Sequence, residues 1–462
     1  MKMLKLRATA AFLVGGLVLA ACAGDEPEPD VTDEAAAEDP ADDEPADDPA
    51  EDDEPADAPD LAGTTVTVFG PESSENEAGA VQDMLAVFAE MNDMTITYTG
   101  ARDFSEQIAA QVAGGNPPDI AVFPQPGRVQ DFGDQGELVA LPQDLVDRIN
   151  AQWPEGTNEA YTVDGTTFGL MNKTDLKSII WFNTGVFEDG GYEIPDTLDG
   201  LWDRTEEMIA DGQTPWCVGI ESGPATGWPF TDWMEDILLR REPVDVYDGW
   251  ITNDVAFTDD RVVAVAEEIL DIWNMPGAVF AAGGSIAGTP FGDNGGPLAD
   301  GTCAMHRQAS FYAAFMPEGT EIGPDGEVDV AYFPAAGDGR TPVLTAGTAV
   351  TAFRDAPEVM AVIEWMASAE GVTERQRAQA ERTGGSSGYL ASNLEQDLSV
   401  YNDLERSFVE ILQTADPARF DASDMMPGAV GAGSFWSEGT AVVNGDKGVE
   451  EAFEAIEASW PS

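Results

Sequence analysis

Apolar and polar positions first alternate in TTVTVFG (64–70), where Val66, Val68 and Phe69 predict a strand that stops at Gly70-Pro71. The period then lengthens. Val81, Met84, Leu85 and Phe88 fall at i, i+3, i+4 and i+7, one apolar face of a helix. MTITYTG (94–100) predicts a second strand. DFSEQIAAQVAGG predicts a second helix, with Asp103 as N-cap, Phe104, Ile108 and Val112 on one face, and Gly114-Gly115 as its stop. PPDIAVFPQPG (117–127) supplies a third strand. Strands and helices alternating over short joins make a parallel, doubly wound α/β unit, and such sheets bind ligands at the carboxyl ends of their strands.

Further on, YTVDGTTFGL predicts a hairpin turning at Asp164-Gly165, and DLKSIIWFNTGVF (175–187) a buried strand. Two amphipathic helices follow: one carries Leu198, Leu201, Trp202 and Met208, the other (257–275) Val262, Val265, Ile269 and Ile272. Strand-like segments return at 303–311, 328–335 and 342–353. That late return predicts two lobes, each assembled from separated segments, with several crossings between them.

Charge and composition sharpen the picture. Asp and Glu total 87 against 21 Lys and Arg, a formal net charge of −66, which repels nucleic acid and anionic lipid surfaces. Nineteen of the acids and no base lie in 25–60, a Pro- and Ala-rich stretch that predicts an extended spacer. Residues 61–462 still hold 68 acids and 18 bases, an excess that suits a saline medium. Before the spacer, Lys2, Lys5 and Arg7 precede a 14-residue apolar run (8–21), the length of a signal-peptide core and too short to span a bilayer. The run ends in LAAC (19–22), which resembles the bacterial lipobox and implies that Cys22 is lipidated after removal of residues 1–21, leaving 22–60 as a lipid-anchored tether. In such an oxidising compartment Cys217 and Cys303 read as a disulfide closing an 86-residue loop; two free thiols or a metal pair are the alternatives, and the lone His306 disfavours metal.

The phrases NPPDIAVFPQPG, DGTTFGLMNKTDLKSIIWFN, TPWCVGIESGPATGWPFTDWMEDILLR (214–240) and CAMHRQASF resemble the solute-binding lipoproteins of bacterial ATP-driven (ABC) sugar importers, family 1, in the alpha-glucoside-binding branch. The resemblance implies a two-lobed type 2 periplasmic-binding-protein fold with the ligand cleft between lobes, closure about a hinge, delivery to the permease subunits, no cofactor or metal, and no catalysis. It further implies a monomer, attached by lipid to the extracytoplasmic face of the cell membrane. Lobes are expected at 61–173 with 328–369 and at 174–327 with 370–462, and hinge crossings at 172–177, 323–328 and 367–371.

A carbohydrate presents flat C–H faces and a hydroxyl rim, so its site needs aromatic rings beside paired donors and acceptors. Block 214–240 offers Glu221, Trp228, Asp232 and Trp233; both indoles could instead be core residues, and Asp232 could serve only as a charge at a helix start. Strand-end loops add Glu72, Ser73 and Gln125. Arg307 could fork onto sugar hydroxyls or belong to an ion pair. Tyr389 and Trp436 sit in glycine-rich loops as candidate stacking platforms. The rival function is an exported glycoside hydrolase using paired carboxylates such as Asp232 and Glu235. His306 reads as a structural hydrogen-bonder; no G-x-S-x-G elbow accompanies it.

Overall fold

The computed structural model describes residues 59–461 apart from Asp416. The leader at 1–21, Cys22 and nearly all of the acidic spacer lie outside the described residues. In chain order the strands are β1 (Thr65–Gly70), β2 (Thr95–Gly100), β3 (Ile120–Phe123), β4 (Thr162–Val163), β5 (Thr166–Thr167), β6 (Gly169–Leu176), β7 (Ile179–Asn183), β8 (Trp216–Cys217), β9 (Val279–Phe280), β10 (Met305–Arg307), β11 (Val328–Tyr332), β12 (Val343–Ala352) and β13 (Ala418–Phe420). They form two main sheets. The first runs β13-β12-β3-β1-β2, with β6 also paired to β12; the second runs β11-β7-β10-β8-β9.

The first sheet grows out of the doubly wound start. β1 lies parallel to β2 and β3, and helix Glu75–Met91 turns Val81, Met84 and Leu85 into the core. Ser74 caps that helix: its Oγ accepts from the Glu77 N–H at 3.2 Å and its hydroxyl donates to Glu77 Oε2 at 2.8 Å. Helix Phe104–Ala113 buries Phe104, Ile108 and Val112, but Asp103 makes no capping bond and instead accepts from Gln107 Nε2. The hairpin β4–β5 turns at Asp164 and Gly165, both in the left-handed region.

Each sheet has its own apolar interior, so the chain makes two lobes. Leu170, Met171, Ala349, Val350 and Ala391 belong to the first core; Leu176, Ile179, Val343, Leu344, Leu398 and Tyr401 belong to the second lobe. The chain therefore crosses at 171–176, 344–349 and 389–398, where Tyr389 and Ala391 pack in the first core and Leu390 between them in the second lobe. The crossings lie side by side and are stitched together. Thr174 N–H donates to Leu390 O at 2.9 Å, the Thr174 and Ser392 hydroxyls are 3.0 Å apart, and Thr348 Oγ1 donates to Asn172 Oδ1 at 2.9 Å. The β6–β12 register slips between Thr348 and Ala349, a bulge at Asn172 in the middle of the hinge.

Two expected boundaries move. The segment 328–369 does not belong wholly to the first lobe, because β11 pairs antiparallel with β7 at the edge of the second sheet; the second crossing is 344–349, not 323–328. The third expected crossing, 367–371, lies inside the first lobe: Ala367 and Val372 share its core, and helix Ala369–Thr383 is tied to helix Glu75–Met91 through Arg382 Nε and Asp83 Oδ2 at 2.7 Å. Local alternation identifies a strand or helix, but the partner it packs on is chosen by contacts distant in sequence.

Candidate functional site

A cleft of about 210 Å³ opens between the lobes beside the crossings. Its first-lobe wall is built at strand ends. Past Gly70 the chain turns through Pro71 to Glu72 and Ser73, both at the cleft. Tyr98 OH donates to the Glu72 carbonyl at 3.1 Å and to Glu72 Oε2 at 3.0 Å. A Cβ on Gly100 would stand 1.8 Å from the Glu72 carbonyl, so only glycine lets β2 approach this loop. Gln125, at the end of β3, also lines the cleft and accepts from Ser105 Oγ at 3.2 Å.

The second-lobe wall is aromatic. Gly227 (φ 114°) starts helix Trp228–Arg241, and a side chain there would collide with the Trp436 carbonyl. This pins Trp228 against the turn that carries Trp436. The half-buried Trp228 ring meets Phe291 edge-on (5.0 Å, 70°) and Phe311 at 6.1 Å. Trp436 lines the same cleft at the end of a π-helical turn (Val430–Phe435), but it is only 5% exposed and its indole N–H has no partner. It is a nearly enclosed wall residue, not the open platform its glycine-rich surroundings suggest.

The floor is ionic. Lys177 Nζ donates to Asp232 Oδ1 at 2.8 Å and to Asp421 Oδ2 at 2.5 Å. Arg307 joins Asp232 (3.2 Å) to Asp236 (2.8 Å), and Arg240 pairs with Asp236 in turn. Burial alone would depress the Lys177 ammonium, but Asp232 and Asp421 outweigh it and hold it well above the ordinary lysine range. Burial pushes Asp232 up to about 6 against the pull of Lys177. Glu235 and Asp424 are raised well above the usual carboxylate range by burial and then by Asp421. Three cations, Lys177, Arg307 and Arg240, thus pair with three acidic side chains, Asp232, Asp236 and Asp421, and burial disfavours a charge on Glu235 and Asp424 beside them, which brings the buried set toward charge balance. Oxygen atoms of Asp232, Glu235 and Asp421 lie within 4.8 Å of one another, but the Lys177 ammonium already supplies the cation for Asp232 and Asp421. Glu235 accepts the Ala422 and Ser423 N–H groups at 3.1 Å.

Of the residues read from sequence, Glu72, Ser73, Gln125, Trp228, Asp232 and Trp436 converge on the cleft. Four do not. Glu221 turns back to accept the Gly223 N–H at 2.7 Å. Trp233 sits in the second core between Trp216 (5.1 Å) and Trp273 (5.4 Å), because helix Trp228–Arg241 is buried around its whole circumference from Pro229 to Arg240. Arg307 is the inner ion-pair member described above. Tyr389 is enclosed; its OH donates to Asn172 O, and Arg375 stands 4.9 Å over its ring, so it props the hinge. Sequence reading missed Arg102, Asp421, Asp424, Phe291 and Phe311, and took Lys173, Asp175 and Lys177 only as hinge. The available signal was the polar run NKTDLK on a fully buried strand. Behind the aromatic wall Cys217 and Cys303 form a disulfide (Cα–Cα 5.5 Å). His306 Nδ1 lies 2.9 Å from the Cys217 carbonyl, and burial lowers its pKa to about 4.

Two sheet-based lobes, a cleft at their junction and three adjacent chain crossings, two of them the strands β6 and β12, define a binding protein of the periplasmic kind. The chain matches the bacterial extracellular solute-binding protein family over residues 72–373 and belongs to it. It is 36% identical over 408 residues to the osmoprotective compounds-binding protein GgtB of Synechocystis sp., covering 86% of this chain and 92% of GgtB. Similarity to the alpha-glucosides-binding periplasmic protein AglE of Rhizobium meliloti is 34% over 418 residues, 87% of this chain and 88% of AglE. Among solved structures, the bacterial solute receptor AcbH superposes with a TM-score of 0.72 at 17% identity, over 86% of this chain and 97% of that one. RafE in complex with raffinose gives 0.65 at 15%, over 86% and 98%. At those identities the structures attest the fold.

Proposed function

We propose that this chain is the substrate-binding component of an ATP-driven sugar importer and takes a di- or oligosaccharide, an alpha-glucoside such as maltose, trehalose or sucrose. The observation that carries the reading is the cleft: a half-open indole, Trp228, faces carboxylates and ammonium groups across two hinged lobes. An indole face stacks on the C–H surface of a pyranose, and the polar groups match its hydroxyl rim. AglE, named for alpha-glucosides, supports the same ligand class. Contacts made by both lobes exist only when the cleft is shut, so ligand shifts the population toward the closed state, which the permease engages.

The ligand leaves unchanged. The carboxylates a hydrolase would need are committed elsewhere, Asp232 to Lys177 and Arg307, Glu235 to two backbone N–H groups. The protein acts as a monomer outside the cytoplasm, held to the membrane through Cys22. A thermal-shift screen of residues 61–462 against maltose, trehalose, sucrose and glycine betaine tests the ligand. A sugar at 100 times its dissociation constant adds about 2.7 kcal/mol and raises the melting point. A response to glycine betaine alone rejects the glucoside reading, and glucose released from maltose rejects the binding-protein reading.

A further inference from the structure

Among the described residues three guanidinium groups make no ion pair: Arg102, Arg128 and Arg375. Arg375 is inside the first lobe, donating to Gln379 and standing over the Tyr389 ring. Arg128 is largely shielded beside Gly428. Arg102 alone of the three is exposed, and it lines the cleft. In a folded part with 68 acids and 18 bases, carboxylates to pair with are abundant. An arginine left without one, at a ligand cleft, has its donors free for something else.

Its position says what. Arg102 lies between β2 and helix Phe104–Ala113, on the first lobe, yet its guanidinium carbon stands 5.9 Å from the ring centroid of Phe291 on the second. Phe291 in turn meets the Trp228 ring at 5.0 Å. The guanidinium therefore caps the aromatic wall from the opposite lobe, next to the place where a pyranose stacked on Trp228 would present its rim. A guanidinium offers five N–H donors in a planar fork, which matches two adjacent oxygen acceptors. The other cations of the cleft are already engaged, Lys173 by Asp175 at 3.2 Å and Lys177 by Asp232 and Asp421.

We infer that Arg102 is a specificity-determining residue that forks onto two adjacent hydroxyl oxygens of a neutral sugar and clasps the first lobe over it. The inference rests on the sugar reading above. Anionic sugars fit less well, because two acidic side chains that make no ion pair, Glu72 and Glu77, line the same cleft as the one free guanidinium.

Titration calorimetry with the sugar that most stabilises the wild-type protein in the thermal-shift panel tests it, using Arg102→Ala and Arg102→Gln. Each is expected to weaken binding about 10- to 100-fold, the range for a hydrogen bond to an ionised group. The urea midpoint stays at the wild-type value, since the side chain is exposed. Monodeoxy analogues supply the second reading: wild type loses affinity when either of two neighbouring hydroxyls is removed, and Arg102→Ala is indifferent to those same removals. Affinity within about twofold of wild type in both variants, or identical deoxy losses in wild type and variant, overturns the inference while the sugar reading stands. A wild-type protein that binds no sugar of the panel removes both.

Discussion

Replacing Lys177 by Met takes one cation out of the cleft floor and leaves the Asp232 and Asp421 carboxylates facing each other. Breaking a buried pair by removing one partner costs about 3–5 kcal/mol. Here the remaining contacts soften the loss. Asp232 keeps Arg307 at 3.2 Å, and Asp421 keeps the Ser423 hydroxyl at 2.8 Å and the Asp424 N–H at 2.9 Å. The lower end, about 3 kcal/mol at pH 7.5, is therefore expected. In the native protein Asp421 is held below its ordinary value, mainly by Lys177 overcoming burial. Its contribution is present above the unfolded value and lost as pH falls through the folded one. Without Lys177 burial dominates and both aspartates rise. The variant then loses stability as pH climbs from about 4 through the new folded values, so its deficit against wild type is full at pH 7.5 and shrinks at pH 4.5. Urea unfolding at the two pH values measures this, with Lys177→Met/Asp421→Asn as the control that recovers at least half of the deficit. A deficit under about 1 kcal/mol at pH 7.5, or one indifferent to pH, refutes the charge balance described for the floor.

Other substitutions separate cleft from core. Trp228→Ala should weaken sugar binding about 10-fold or more with little effect on unfolding, whereas Trp233→Ala, enclosed by indoles, should cost about 3–5 kcal/mol of stability; calorimetry and urea titration on both variants decide. His306, lowered from 6.5 to about 4, binds fewer protons folded than unfolded, so it subtracts stability as pH falls from 6.5 to 4, about 3 kcal/mol in all; His306→Gln should narrow its stability gap to wild type by that amount over the same interval. Reducing the Cys217–Cys303 bridge releases a loop of 86 residues and should lower stability by about 4 kcal/mol in the chain-entropy picture, read as a drop in melting temperature with reductant.

The opening α/β unit was legible because its signals are local. Val66 and Val68 alternate, Phe104, Ile108 and Val112 repeat at helical spacing, and strand ends mark loops that do reach the cleft at Glu72 and Gln125. What escaped depends on partners far along the chain. β11 has the pattern of any half-buried strand, and nothing within it says that β7 is its neighbour. Trp228 and Trp233 are five residues apart on one helix, and only the packing of Trp202, Trp216 and Trp273 around the second distinguishes them. Lys177 finds Asp232 and Asp421 from 55 and 244 residues away, so the ionic floor cannot be seen in any window of sequence.

The bulge at Asn172 and the bonds among the three crossings have a consequence for what the protein can carry. Because the crossings are bonded to one another, sliding or shear between the halves would break those bonds, whereas a twist about a common line would leave them in place. On the sugar reading proposed above, a guest one ring too long would hold the jaws ajar, because opening along another direction would cost the bonds between the crossings. Length selection would then reside in the spine of the molecule as much as in the groups that touch the cargo.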